Sequence, residues 1–508
     1  MKTLTLITLL LAAPLAALAK PKSDYQRPAT TVSPQYKAGP VWREMRPLET
    51  LPRGAWWAVF EDTALNKLEL RATAENQQLR AAVAKFDQAR ATARMARGNF
   101  FPEATLNPGA FHQRTSSNAP SPFPLNGARY EGWGFDVPLD LTYELDLWGR
   151  VKRQNETAAE HAAAEASVMQ NVLLSLQAEL AQNYFRLRAL DGEIAAVREA
   201  IGWRKQWVDV VSGKVKAGAG SELELDQAET EYAAAQTEVA ALTAQRDQLE
   251  NAIAVLCGAD PSSFNIAAGG KIPPAQPEIP AGLPTDLLER RPDVARAEHQ
   301  LVAANAQLGI AKRAWFPSIK LIASGGFLSS EVSTLFASES SKWNLGPAVS
   351  LPIFSGGKNI ANLERARAAH DEALALYRQS ILTALGDVEN QLSALSNLRE
   401  QSAAQHRTRD AADRAVKLAI VRNKAGSSPY LEVIETSRTA LTARRGVYQV
   451  GGQRLVATVA LIKALGGGWQ QSLPVVIPQQ TPDPAAVSQP ESKKPGLLKR
   501  LFTKKPRQ

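Results

Sequence analysis

At 508 residues the chain is long enough for two or three ordinary domains, and its composition, 44% hydrophobic and 21% charged, is that of a folded protein. A single cysteine, Cys257, excludes an intramolecular disulfide and a cysteine-based zinc site and reads as a small core residue. The net charge of +9 does not mark a nucleic-acid partner: the tail from Gln471 carries +5 and Lys2 one more, which leaves about +3 on a body where both signs alternate.

In chain order, Lys2 precedes an apolar run, Leu4 to Leu18, closing on Ala17-Leu18-Ala19. That is the layout of a signal peptide over residues 1–19, with Lys20 as the mature N-terminus. Intact-mass measurement should therefore find an unacylated chain starting at Lys20; a lipid mass there would contradict this. An extended segment, 20–62, follows. No later run reaches the ~18 apolar residues of a membrane-spanning helix, so an exported chain of this kind is periplasmic, secreted or a β-barrel.

From residue 63 one unit is written twice. KAGAGSELEL, from Lys216, returns as KAGSSPYLEV, from Lys424, and LWGR (Leu147 to Arg150) stands opposite SGGK (Ser355 to Lys358), both at an offset of about 208. NFFPEATL, from Asn99, is answered by AWFPSIKL, from Ala314, at about 215. The first unit spans 63–265 and the second 285–469, separated by a Pro-rich linker, 266–284. A basic tail, 470–508, is expected to be disordered.

Each unit opens with a helical stretch, Thr63 to about Gly98 and Asp286 to Ala314, stopped by an aromatic-Phe-Pro sequence that a helix cannot pass. Strands are expected at about 103–112 and 131–147, then at about 317–328 and 343–354. From Trp133 to Leu147 apolar residues hold every second position, with Asp136, Asp140 and Glu144 among the residues between. The loops, roughly His112 to Arg129 and Ser329 to Lys342, are rich in Ser, Asn, Gly and Pro. Two long helices then flank a glycine turn. Leu187, Leu190, Ile194, Val197 and Ile201 form a heptad-like seam, as do Leu225, Ala228, Tyr232, Ala235, Val239 and Leu242. From Arg150 to Ser212 such a helix runs about 90 Å, and on it Glu160 and Glu165 read as an exposed pair.

A strand like Trp133 to Leu147 is long enough to cross a bilayer, with lipid on its apolar face and water on its polar one. Alternation alone is equally satisfied by a soluble sheet with one buried face. In a membrane, however, about four strands cannot close a barrel or leave their edges in hydrocarbon, so several chains must share one. Three would supply about twelve strands.

WWAVFEDTAL (Trp56 to Leu65), ELDLWGR and above all LLERRPDVARAEHQLVAANAQLGIAKRAWFP (Leu287 to Pro317) resemble the NodT branch of the TolC-like outer membrane factor family. The likeness runs from about Trp56 to Trp469. It implies a mixed α/β membrane protein: a homotrimer in the outer membrane of a Gram-negative bacterium, with a 12-stranded β-barrel continued by a long α-helical periplasmic barrel. Such ducts conduct passively, without cofactor, and work with a periplasmic adaptor and an inner-membrane pump, most often RND-type. Many members of this branch carry a lipid-bearing cysteine after the signal peptide; here Lys20 stands in that place.

The resemblance places adaptor-docking tips at Gly218, Ser221 and Leu223 and at Gly426, Ser427 and Leu431. It places a periplasmic constriction at Glu224, Glu432 and Glu435. Read bottom-up, Gly218 and Gly426 are also helix terminators, Ser221 is a helix cap with Glu224 three residues on, and the glutamates suit a helix N-terminus. Basic residues near the same tip, such as Lys216, Arg422 or Lys424, are candidate partners for Glu432 and Glu435, and the sequence does not choose among them. Arg290-Arg291-Pro292-Asp293 reads as a helix start and interface element rather than a ligand site, and His112, His161, His299, His370 and His406 show no ligand spacing. No catalytic, cofactor or metal motif is found. The competing reading, a periplasmic coiled-coil adaptor or scaffold without a barrel, explains the helices but not the alternating strands.

Overall fold

The two copies of the repeat fold to matching lengths. A computed structural model describes residues 27–28, 54–114, 131–269 and 291–467. The expected signal peptide, the basic tail, most of the linker and the loop after Arg114 lie outside these. The first repeat holds α1 (Thr63–Glu75), α2 (Gln77–Gly98), β1 (Glu103–Leu106), β2 (Gly109–Arg114), β3 (Glu131–Leu145), α3 (Arg150–Lys216) and α4 (Glu222–Leu256). The second holds α5 (Pro292–Arg313), β4 (Ser318–Ser329), β5 (Ser341–Ser350), α6 (Lys358–Lys424) and α7 (Tyr430–Ala464). Helices α2 and α5 each have 22 residues, α3 and α6 each 67, and α4 and α7 each 35. The longest pair therefore spans about 100 Å at 1.5 Å per residue. Three glycine pairs in the left-handed region, Gly149/Gly357, Gly218/Gly426 and Gly258/Gly466, fall at corresponding places in the repeats.

Several boundaries differ from the sequence expectation, each for a local reason. The stretch Thr63 to Gly98 is two helices, because Asn76 takes an extended conformation and its side chain accepts from Leu79 N at 2.9 Å. The second-repeat helix starts at Pro292, a proline at a first-turn position where its missing N–H is not needed; residues 270–290, which include the expected start at Asp286, are not described. Strand β3 stops at Leu145 rather than Leu147 because Asp146 receives the N–H groups of Val151 and Lys152 at 3.0 and 2.8 Å, capping α3. The strand expected at 103–112 is divided around Asn107-Pro108 into β1 and β2, both on the same edge of β3. Strand β5 ends at Ser350, short of Pro352. The loop between β4 and β5 carries two short 3-10 turns, Val332–Thr334 and Ser338–Ser340.

The described strands lie in one antiparallel sheet ordered β1–β3–β4–β5, with β2 extending the β1 edge. Among the described residues its two outer edges are unpaired. Tips aside, the helical part is held by a core in which Trp56, Leu65, Tyr184, Phe185, Leu187, Ile253 and Leu455 are buried. Asp62 caps α1 through Ala64 N (2.8 Å) and Leu65 N (3.0 Å) and accepts the Tyr184 hydroxyl at 2.7 Å. Arg27 reaches this body from the N-terminal segment, donating to Glu298 at 2.6 Å and to the Tyr377 hydroxyl at 3.2 Å. The heptad seams pack as expected: Ile194, Val197, Ala235 and Leu242 meet Leu441 in a second cluster.

Glu69, on α1, is fully buried, and among the described residues neither carboxylate oxygen has a hydrogen-bond partner. Burial pushes its carboxyl well above the ordinary value, and it pushes the neighbouring Cys257 thiol up to about 12. A folded-state pKa above the unfolded one means that the native state holds more protons than the unfolded state between the two values. This contribution to stability is thus full below the unfolded carboxyl pKa and declines as pH rises toward the folded one. Glu69→Gln should flatten the decline and raise the unfolding midpoint at pH 8 more than at pH 4.5. Equal shifts at both pH values would show that Glu69 ionisation is not linked to folding.

Candidate functional site

The sheet has two chemically distinct faces. On one, cross-strand rows bring together Leu139 and Gly325, Leu141 and Ala323, Tyr143 and Leu321, and Leu145 and Ile319, continued on β5 by Trp343, Leu345 and Val349. Trp343 is 82% exposed and Leu139, Leu141, Leu345 and Val349 are also exposed in the single chain. Aromatic rings mark both ends of this face. His112, Trp133 and Phe135 lie in contact at the helix-distal end, and Trp148 stacks on Phe316 (centroids 5.0 Å apart) at the helix-proximal end. The other face carries the charged and hydroxyl side chains of the strands, with Phe111, Ile322 and Leu328 among them. Lys342 Nζ donates to Asp136 at 2.6 Å, Ser324 Oγ to Asp140 at 2.6 Å, and Arg150 Nε to Glu144 at 2.9 Å. An apolar band between aromatic girdles, backed by a polar face, is the pattern of a membrane barrel wall.

At the far end of the long helices, Gly218 and Gly426 both turn at φ +71°, a conformation in which a side chain would be strained. Each closes a Schellman turn: Gly218 N and Ala219 N donate to Val215 O and Lys214 O at 2.9 Å, and Gly426 N and Ser427 N to Asn423 O and Arg422 O at 2.9 Å. Ser427 adds its hydroxyl to Arg422 O at 2.9 Å. Ser221 occupies the cap position of α4, but its side chain makes no capping hydrogen bond, so the expected capping box is not formed; Pro429 holds the matching position before α7. Leu223 and Leu431 follow the two turns and are 65% and 53% exposed. The two tips lie together: Tyr430 stacks on Trp207 at 5.1 Å, over a cluster of Ala228, Ala419, Val433 and Ile434. Burial, helped by the nearby Glu231 charge, pushes the Tyr430 hydroxyl up to about 12.

Of Lys216, Arg422 and Lys424, it is Arg422 that pairs with Glu432, at 2.8 Å. Glu435 pairs instead with Arg438, one turn on, at 3.2 Å. Glu224 is half-buried on the first tip, and its charge also acts on the Tyr430 hydroxyl. Sequence reasoning missed a deeper set of carboxylates. Glu231 is buried between Arg204 (3.2 Å) and Arg438, and Arg445 joins Glu193 (3.1 Å) to Glu238. The signal was available: Glu231 and Glu238 are one heptad apart, as are Arg438 and Arg445, so each pair recurs on one seam.

Two other expectations change. Glu160 is no exposed residue; it is half-buried and bonds His299 Nδ1 at 2.8 Å, and Glu165 is half-buried too. Arg291 does serve the helix start, and more: it donates to Ala464 O (3.0 Å), Asp293 (2.6 Å) and Asp387 (3.0 Å). Asn76 holds the corresponding place in the first repeat and donates to Leu256 O at 2.9 Å, so both repeats tie the start of a short helix to the end of the last one.

Comparison with known proteins agrees with this geometry. The profile of the outer membrane efflux protein family matches residues 70–259 and 283–467. The solvent efflux pump outer membrane protein SrpC of Pseudomonas putida is 33% identical over 88% of this chain and 95% of its own length. The cation efflux system protein CusC of Escherichia coli O157:H7 is 30% identical over 88% and 95%. Among solved structures, the open-state MtrE outer membrane channel of Neisseria gonorrhoeae superposes with a TM-score of 0.78 at 28% identity, covering 88% of this chain and 98% of that one. The fold is that of the TolC-like outer-membrane channels, and the chain belongs to the outer membrane efflux protein family.

Proposed function

We propose that this protein is the outer-membrane exit duct of a tripartite efflux system, acting as a homotrimer and conducting passively what an inner-membrane pump delivers through a periplasmic adaptor. The observation that carries this is the sheet: an exposed apolar face between aromatic girdles, the strand charges on the face behind it, and two edges unpaired among the described residues. Open edges are not tolerated in hydrocarbon, so the sheet must be completed by copies of itself, and three copies give about twelve strand positions. The 100 Å helices then wall a tunnel below it. Outer-membrane fractions should contain the protein as a heat-labile trimer on gels; a monomer in the periplasmic fraction would sustain the adaptor or scaffold reading instead. No step of this function needs catalysis, and the selection of cargo rests mostly with the pump. That SrpC is named for solvents and CusC for cations, at similar identity to this chain, supports that division.

In this reading Gly218, Ser221, Leu223, Gly426, Ser427 and Leu431 form the surface met by the adaptor. Glu432 and Glu435, with Glu224 on the neighbouring tip, ring the periplasmic constriction. Glu432→Ala/Glu435→Ala removes six carboxylates from a trimer and releases Arg422 and Arg438. Planar-bilayer recordings should show weaker cation preference and higher conductance. The matched control is Asp87→Ala/Glu364→Ala, at exposed helical positions remote from the tips. Identical behaviour of both double variants and wild type would reduce the tip glutamates to solvated helix-start residues.

A further inference from the structure

The polar face of the sheet is not evenly charged. Its three β3 carboxylates stand four residues apart, at Asp136, Asp140 and Glu144, and two are neutralised. Asp136 has Lys342 at 2.6 Å and Glu144 has Arg150 at 2.9 Å. Asp140 has neutral donors: the Ser324 hydroxyl at 2.6 Å and the Asn107 amide at 3.4 Å. Among the described residues no cationic side chain pairs with it. The strand register puts Thr105, Asp140, Ser324 and Asn344 on one row across the sheet, every member polar and only Asp140 charged. The next row toward the helices holds Glu103, beside Thr142, and the row after it holds Lys320, beside Glu144, so the charges of Glu103 and Lys320 oppose each other there.

We infer that the Asp140 row forms a cation-selecting collar inside the β-barrel, a second specificity element separated from the tip carboxylates by the length of the helices. The inference rests on the trimeric duct reading, in which the row closes into a ring of twelve polar side chains carrying three uncompensated negative charges. The Ser324 hydroxyl fixes the carboxylate against the wall, so its charge is held in place. The pairing of Asp136 and Glu144 leaves Asp140 as the β3 group whose field reaches a passing ion. Small or organic cations are drawn through such a ring and anions are retarded.

The test is the reversal potential of trimers in planar bilayers under a KCl gradient. It is measured in wild type and in a Glu432→Ala/Glu435→Ala background, which removes the selectivity of the tips. In that background Asp140→Asn keeps the shape and hydrogen-bonding capacity and should lower the cation-to-anion permeability ratio about two- to fivefold. Asp140→Glu should retain the parent ratio, and Asp140→Lys should favour anions. If Asp140→Asn does not assemble, Ser324→Asp places a second carboxylate on the same row and must raise the ratio. An unchanged ratio in the Asp140→Asn trimer, or in Ser324→Asp where that trimer does not form, overturns the collar while conduction itself upholds the duct. If wild-type trimers form no conducting pore, duct and collar fall together.

Discussion

Leu141→Arg should remove most heat-labile trimer from the outer membrane, at a cost of about 2–4 kcal/mol for an arginine on the lipid face near the bilayer midplane. Leu141 lies in the middle of the apolar face, paired with Ala104 on β1 and Ala323 on β4, and is exposed in the single chain. Small partners on both sides leave part of its side chain uncovered by the chain, and in a membrane that part meets lipid. Thr142 is the next residue and points to the polar face, beside Glu103. Thr142→Arg should therefore assemble normally and gains a carboxylate within reach. Trimer yield on unheated gels reads both variants in one experiment. Equal yields would mean that the alternation does not separate lipid from lumen, and the barrel assignment would go with it.

Arg291→Met should lower the unfolding free energy by about 3 kcal/mol, toward the low end for breaking a buried ion pair because Asp293 and Asp387 keep partial access to water. The loss is compound: Asp293 and Asp387 lose their cation, and the Ala464 carbonyl loses the donor that closes the end of α7. Arg291→Lys should recover only part of it, since a point charge cannot serve three acceptors with a planar fork. The pH dependence gives an independent readout. Burial alone would raise the Asp293 carboxyl, but the hydrogen bonds and charge of Arg291 outweigh it and hold the carboxyl below its usual range. A depressed folded-state pKa contributes stability that is present above the unfolded value and is lost as pH falls through the folded one. Wild type should thus lose stability on acidification below about pH 4 more steeply than Arg291→Met. Parallel pH profiles would show that Arg291 does not hold Asp293 ionised.

These two residues also mark how far the sequence could be read. The period of two around Leu141 predicts a strand and its faces because every second side chain meets the same medium. The duplication predicts matching turns at Gly218 and Gly426 because a left-handed turn tolerates little else. Arg291 announced a helix start through the proline after it, but its contacts with Ala384, Asp387 and Ala464 join residues far apart in sequence, and no local pattern records them. The tips divide in the same way. Arg422 lay near enough to Glu432 to be named as a partner, whereas Glu231 meets Arg438 across the two repeats and needed the packed helices to be seen. Glu160 reads as exposed in the sequence because the helix face it occupies is covered by α5, which comes more than a hundred residues later.

The equal lengths of α3 and α6, and of α4 and α7, have a mechanical consequence. Both hairpins must reach the same depth for Tyr430 to lie flat on Trp207, so the structure measures its own length twice. Inserting one residue into α3 would move its tip by about 1.5 Å and rotate it by about 100°, unseating the stack and turning the seam away from its partners. Length can change only in whole heptads, in both arms of a hairpin and in both hairpins at once. The tunnel is therefore a ruler as well as a wall, and a lineage that must span a wider gap between two membranes has to lengthen four helices together.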